Sequence, residues 1–185
     1  MDFWHGGKRW TERPAVQPPK KGRCECGPGI YLTTSYGTAR NTYARGNNVT
    51  TLVSLKDDIT WLERTELPLQ VVLDYVRTTR GFRKRDQILA DLENRSFRRK
   101  QDVIPVEYLV NLCVNYDALS GNQGIQLAEW LVEQGIDASL HSRGAGEQWV
   151  IVFNPRIIER YRVVPSAQVS LEQYTLPLVN LPARP

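Results

Sequence analysis

The stretch CGPGIYLTTSYGTARNTYARG, residues 26–46, carries four glycines and three tyrosines. Gly27-Pro28-Gly29 is a turn: proline fixes φ, and glycine takes conformations that other residues avoid. The β-branched and aromatic run that follows, GIYLTT, reads as a short strand. The residues from Tyr36 onward tolerate a helix, which stops at Gly46, a normal C-terminal glycine. Tyr31 and Tyr43 thus stand twelve residues apart, one on a strand and one on the helix after it.

Upstream, DFWH at residues 2–5 is short and aromatic, a first strand ending in Gly6-Gly7. Residues 11–28 contain Pro14, Pro18, Pro19, Gly22 and Gly27-Pro28, which exclude regular structure and predict a long loop. Downstream, NVTTLVSLK is the clearest strand signal in the chain. From Leu67 to about Trp130 the pattern turns helical. Pro68 suits a first helical turn, Ile88, Leu89 and Leu92 fall on one face, a third helix begins after Pro105, and a fourth ends at Gly135. Strand character returns in EQWVIVFNP, which Glu147 opens. The order strand, loop, strand, helix, strand, helices, strand predicts an α+β fold, a single domain over residues 1–185 with a helical insert at about 67–116.

Composition supports one ordinary globular unit: 185 residues, 41% hydrophobic and 24% charged. The net charge of +4 and the pI near 9.0 favour an acidic partner. No apolar run approaches the roughly 20 residues of a membrane helix, and MDFWHGGKRW has no apolar signal region. Cys24, Cys26 and Cys113 are an odd set without a Cys-x-x-Cys pair, which argues against a disulfide framework or a zinc site. Reduced thiols in a cytoplasmic protein, with no metal, are the expectation.

Taken singly, the candidate residues have plain readings. A histidine among aromatics more often packs than reacts, a strand or helix tyrosine more often belongs to a core, and Glu147 after RGAG reads as a solvated loop residue. Their order is more informative. FWHGG, then GPGIYLTTSYGTARNTYA, then a strand ending VFNPRII resembles the ADP-ribosyltransferase fold of the poly(ADP-ribose) polymerase and diphtheria-toxin branch, with its His–Tyr–Glu signature on three strands. The resemblance covers roughly residues 2–55 and 127–164. It implies split mixed or antiparallel β-sheets around an NAD cleft. It implies that His5 bonds a ribose hydroxyl, that the Gly6 backbone pairs with the nicotinamide carboxamide, and that Tyr31 and Tyr43 sandwich the nicotinamide ring. Ser35 matches the serine that follows the first tyrosine, and Thr33 or Thr34 would contact the same amide. Glu147, with His5 and Tyr31, would form the catalytic set.

Two features depart from that pattern. The family's glutamate lies six residues before the proline of the last strand, and six before Pro155 stands Trp149. Alternation keeps Glu147 on the same face as Trp149, Ile151 and Phe153, one pair early, so that a longer strand or a bulge would bring it into place. Gly7 stands where threonine or serine is common. Outside the resemblance, Arg77, Arg80, Arg83, Lys84, Arg85, Arg95, Arg98, Arg99 and Lys100 face only Asp86, Asp91 and Glu93. That run is either a solvated helical surface or a docking surface for an acidic target. Phe82 and Phe97 would then stack on bases or anchor helices, and Lys20, Lys21 and Arg23 would line the cleft entrance. The function implied is NAD-dependent mono-ADP-ribosylation of a protein or nucleic-acid acceptor, in the style of bacterial or phage toxins and effectors. The alternative is an impaired relative that acts as a binding inhibitor through the basic insert. A nucleic-acid-binding domain of another fold leaves the glycine-tyrosine blocks unexplained.

Overall fold

The computed structural model describes residues 1–20, 24–94 and 102–181. Along the chain run β1 (Asp2–Gly7), β2 (Ile30–Thr33), α1 (Tyr36–Thr38) continuing as a π-helical turn (Ala39–Tyr43), and β3 (Val49–Leu55). Next come β4 (Glu66–Pro68), α2 (Leu69–Thr78), α3 (Arg85–Glu93), β5 (Val103–Pro105), α4 (Val106–Asn115) and α5 (Asn122–Glu133). Strands β6 (Ala138–Ser142), β7 (Gln148–Val152) and β8 (Ile158–Val163) follow. The fold is α+β. Six strands form an antiparallel sheet in the order β6-β7-β2-β1-β3-β8, and β4 pairs with β5 in a second, two-stranded sheet.

No second large sheet faces the first across a cleft among the described residues; the opening lies inside one sheet. Leu67-Pro68, expected to be helical, is strand β4, because Leu67 pairs with Ile104. β6, of sequence ASLHS, carries too little β-branched or aromatic signal to be read alone, and it forms by pairing residue for residue with β7.

Alternation along β7 divides the core. Ile151 joins Phe153 and the helices in one cluster, with Val72, Val76, Leu109, Leu127 and Leu131. Val150 and Val152 face the other way, with Phe3, Leu32, Val53 and Trp61. Each such fully buried aliphatic side chain contributes about 1.5–3 kcal/mol. The helical insert therefore shares its core with the sheet. Its described arginines are largely engaged in the fold. Arg85 donates to the carbonyls of Val76 (3.1 Å) and Thr79 (2.6 Å) at the end of α2. Arg77 pairs with Glu93 at 2.7 Å, and Arg83 donates to the Ser120 hydroxyl. Phe82 packs edge-on against Tyr75 (5.8 Å), an anchor rather than an exposed base-stacking ring. Lys21, Arg23, Arg95, Phe97, Arg98, Arg99 and Lys100 lie outside the described residues. Among the described residues, no helix is long and apolar enough to cross a membrane.

After β8 the chain returns across β1, β2 and β7. The Trp4 indole N–H donates to the Gln173 carbonyl (2.7 Å), and the Leu176 N–H to the Thr34 carbonyl (2.9 Å). The buried Gln148 amide accepts from the Val179 N–H (2.7 Å) and donates to the Val179 carbonyl (3.0 Å). Both halves of that amide are satisfied by one residue of the tail. Gln148→Ala is expected to cost about 1–3 kcal/mol in urea unfolding and to speed proteolysis of the C-terminal segment.

Candidate functional site

β1 pairs with β3 from Asp2 to Gly7 but with β2 only at Trp4, opposite Thr33. Antiparallel register would set His5 against Leu32 and Gly6 against Tyr31, and neither pair forms. A cavity of about 660 Å³ borders both unpaired edges, inside the roughly 300–1,000 Å³ range of small-molecule sites. Ile30, Tyr31, Leu32 and Thr33 all line it. Alternation puts only every second side chain on one face, so the cavity runs along the edge of β2 and meets its backbone as well as its rings. The loop after β1 supplies the outer wall with Lys8, Trp10 and Pro14. It is tied down where the Gly121 N–H donates to the Pro19 carbonyl (3.0 Å).

Tyr31 and Tyr43 both reach this cavity, and Trp149 joins them. Its indole stands edge-on to Tyr31 (centroids 6.0 Å apart) and to Tyr43 (6.3 Å). The Tyr31 hydroxyl donates to the Gly27 carbonyl (2.7 Å) and accepts from the Cys26 N–H (3.2 Å), which fastens the glycine turn to the strand. Burial pushes both phenols up, so they stay protonated at neutral pH. Tyr43 is held by the π-helical turn, in which the Ala44 N–H bonds to the Ala39 carbonyl (2.9 Å). That turn rests directly on Gly6. A Cβ there would lie 2.1 Å from the Ala39 carbonyl oxygen and 2.8 Å from the Tyr43 Cβ. Tyr36, the middle tyrosine of the opening stretch, is spent on packing between Trp4 and Tyr174.

His5 lines the cavity with its ring fixed. A carbonyl oxygen only accepts, so Nδ1 carries the proton that bonds the Tyr31 carbonyl (3.0 Å), leaving Nε2 as an acceptor. The ring therefore offers a ligand an acceptor only, its donor being used within the fold. Burial holds the His5 pKa below its ordinary 6.5, against the opposing effect of the Tyr31 carbonyl. Trp10 lies against the ring, with centroids 4.6 Å apart. A side chain at Gly7 would put its Cβ 2.6 Å from Nε2. Glycine at that position is what admits this orientation.

Glu147 does not line the cavity; Thr33 and Trp149, which do, both donate to it. Thr33 Oγ1 (2.6 Å) and Trp149 Nε1 (2.7 Å) meet at Oε1, and Thr38 Oγ1 donates to Oε2 (3.0 Å). Ser35 is also outside the lining. Its Oγ caps α1 by accepting from the Thr38 N–H (3.1 Å), so it orients the residue that holds the carboxylate. Of the two threonine candidates, Thr33 faces the site, whereas Thr34 is fully buried and accepts from the Gln148 N–H. No bulge shifts Glu147. β7 pairs without interruption from Val152 opposite Ile30 to Trp149 opposite Thr33. Glu147 closes the hairpin just before the strand and reaches Thr33 with its side chain.

His5, Gly6, Tyr31, Thr33 and Tyr43 are thus brought to one cavity, with Glu147 and Ser35 directly behind its wall. Sequence reasoning missed Thr38, Trp149 and Trp10. Trp149 stands six residues before Pro155, where the resemblance implies an acid. Thr38 shows only as the residue three after a helix-capping serine. No protein-family model, curated protein or solved structure matches the chain.

Gly6→Ala is expected to destabilise the fold by about 1–3 kcal/mol through overpacking, measured by urea unfolding. For His5 the sign follows from burial. The unfolded chain takes up the proton near pH 6.5, before the folded one does, so stability falls as pH drops below about 6.5. His5→Asn should flatten that limb relative to the native chain in unfolding curves between pH 7.5 and 5.

Proposed function

We propose that this chain binds NAD in the cavity between β1 and β2 and transfers its ADP-ribose to a macromolecular acceptor, protein or nucleic acid. One observation carries the reading: His5, Gly6, Tyr31, Thr33 and Tyr43, from three separate elements, border a single cavity at an open sheet edge. Aromatic faces favour an electron-poor cationic ring such as nicotinamide. The unpaired backbone edge at Gly6 suits a carboxamide, and His5 Nε2 accepts from a ribose hydroxyl. In the reaction the bond between nicotinamide N1 and ribose C1′ breaks. Its electron pair leaves with the nicotinamide, positive charge develops on the ribose, and the acceptor nucleophile bonds to C1′ and loses its proton. Glu147 supplies negative charge behind Thr33 and Trp149, where that positive charge grows.

A second reading is favoured by the hydrogen bonds that Glu147 already makes. Three donors occupy its oxygens, and the cavity does not reach it. In that reading the cleft binds NAD without transfer and the chain acts by occupying a partner.

Labelled NAD incubated with the purified chain and a bacterial lysate separates the two. Transfer into protein or nucleic acid is expected, falling at least about a hundredfold in Glu147→Gln. Tyr31→Ala should weaken NAD binding about tenfold or more by calorimetry. NAD binding without transfer would select the binding reading, and the absence of both would remove NAD from the account.

A further inference from the structure

We infer that Trp149 is a positioning residue for Glu147, holding the carboxylate against Thr33 and apart from Arg143; this rests on the transfer reading above. The indole touches opposite charges at two places. Its N–H donates to Glu147 Oε1 at 2.7 Å, and the guanidinium carbon of Arg143 lies 4.3 Å from the ring centroid, over the face. An indole is electropositive at its N–H edge and electronegative on its faces. Anion at the edge and cation on the face both match that distribution, so one ring holds the two charges in different directions.

The separation has something to oppose. Arg143 and Glu147 close the same hairpin, with the Arg143 N–H donating to the Glu147 carbonyl at 2.9 Å. Opposite charges on paired backbone positions attract. Yet among the described residues Arg143 forms its ion pair with Glu25 (3.6 Å), a cavity-lining residue on the loop before β2. Tyr31 and Tyr43 flank the indole and limit its rotation. Without the indole the guanidinium reaches the carboxylate, neutralises it and draws it away from Thr33 and Thr38. The arrangement also accounts for the residue count along β7. Trp149 lies opposite Thr33 in the sheet, and a carboxylate two positions earlier is delivered to that threonine along the indole edge.

The test compares kcat and KM for NAD in Trp149→Phe, Trp149→Ala, Arg143→Ala and the Trp149→Ala/Arg143→Ala double variant, each checked for folding by urea unfolding. Phenylalanine keeps a ring beside the cavity and loses the donor. Its kcat is expected to fall about ten- to a hundredfold, as losing one hydrogen bond to a charged group does, with KM within about threefold. Trp149→Ala should fall further, and removing Arg143 from that background should restore part of kcat. Native kcat in Trp149→Phe, or a double variant no better than Trp149→Ala, overturns the inference while the transfer reading stands. A native chain that transfers nothing sinks both. Should Trp149→Ala fail to fold, the Trp149 indole N–H resonance decides. Slow exchange in the native chain, made faster by Glu147→Gln, is expected; exchange indifferent to Glu147→Gln overturns the inference.

Discussion

A strand between two neighbours satisfies its backbone on both sides. β1 does so against β3 along its whole length, and against β2 it pairs only at Trp4 and Thr33. Beyond that pair the two edges lack each other as partners, and buried backbone polar groups demand some partner. The opening is kept by what packs around it. The π-helical turn sits on Gly6, the loop after β1 covers the mouth, and the C-terminal tail bonds to Trp4 and Thr34. The cavity, the orientation of His5 and the two tyrosine walls all depend on that interrupted ladder.

The polar groups behind the cavity form a connected set. Ser35 fixes the Thr38 N–H, the Thr38 and Thr33 hydroxyls fix Glu147, and the Thr33 hydroxyl in turn accepts from the Ser35 N–H (3.0 Å). In a half-buried network of this kind each member holds the others only while its partners are satisfied. Here it links β2, the start of α1 and the hairpin before β7. Each of these elements also contributes a ring to the cavity or sits beside one that does, so the carboxylate and the aromatic walls are positioned together.

Among the described residues of the basic stretch from Arg77, several side chains are used within the fold itself. Arg85 satisfies carbonyls left open at the end of α2, Arg77 pairs with Glu93, and Phe82 packs on Tyr75. Charge density along a chain does not separate an arginine that caps a helix from one that awaits a polyanion. The difference lies in whether a carbonyl or carboxylate stands within reach.

Much of this was legible in the chain itself. Periodicity and turn chemistry are local, so the strands in DFWH, GIYLTT and NVTTLVSLK, the helices near Pro68 and after Pro105, and the α+β order could be read directly. Alternation placed Glu147, Trp149 and Ile151 on one face. Strand pairing is not local, and it decided the rest. β6 and β4 exist because β7 and β5 lie beside them, and the sheet order alone sets β1 next to β2. Whether those neighbours pair or part depends on the turn packed on Gly6 and the loop anchored at Pro19 by Gly121, contacts between residues far apart in sequence. The same holds for Glu147. Its residue type was plain, but its partners Thr33, Thr38 and Trp149 come from three elements, and only the folded chain brings their hydrogen-bond donors to one carboxylate.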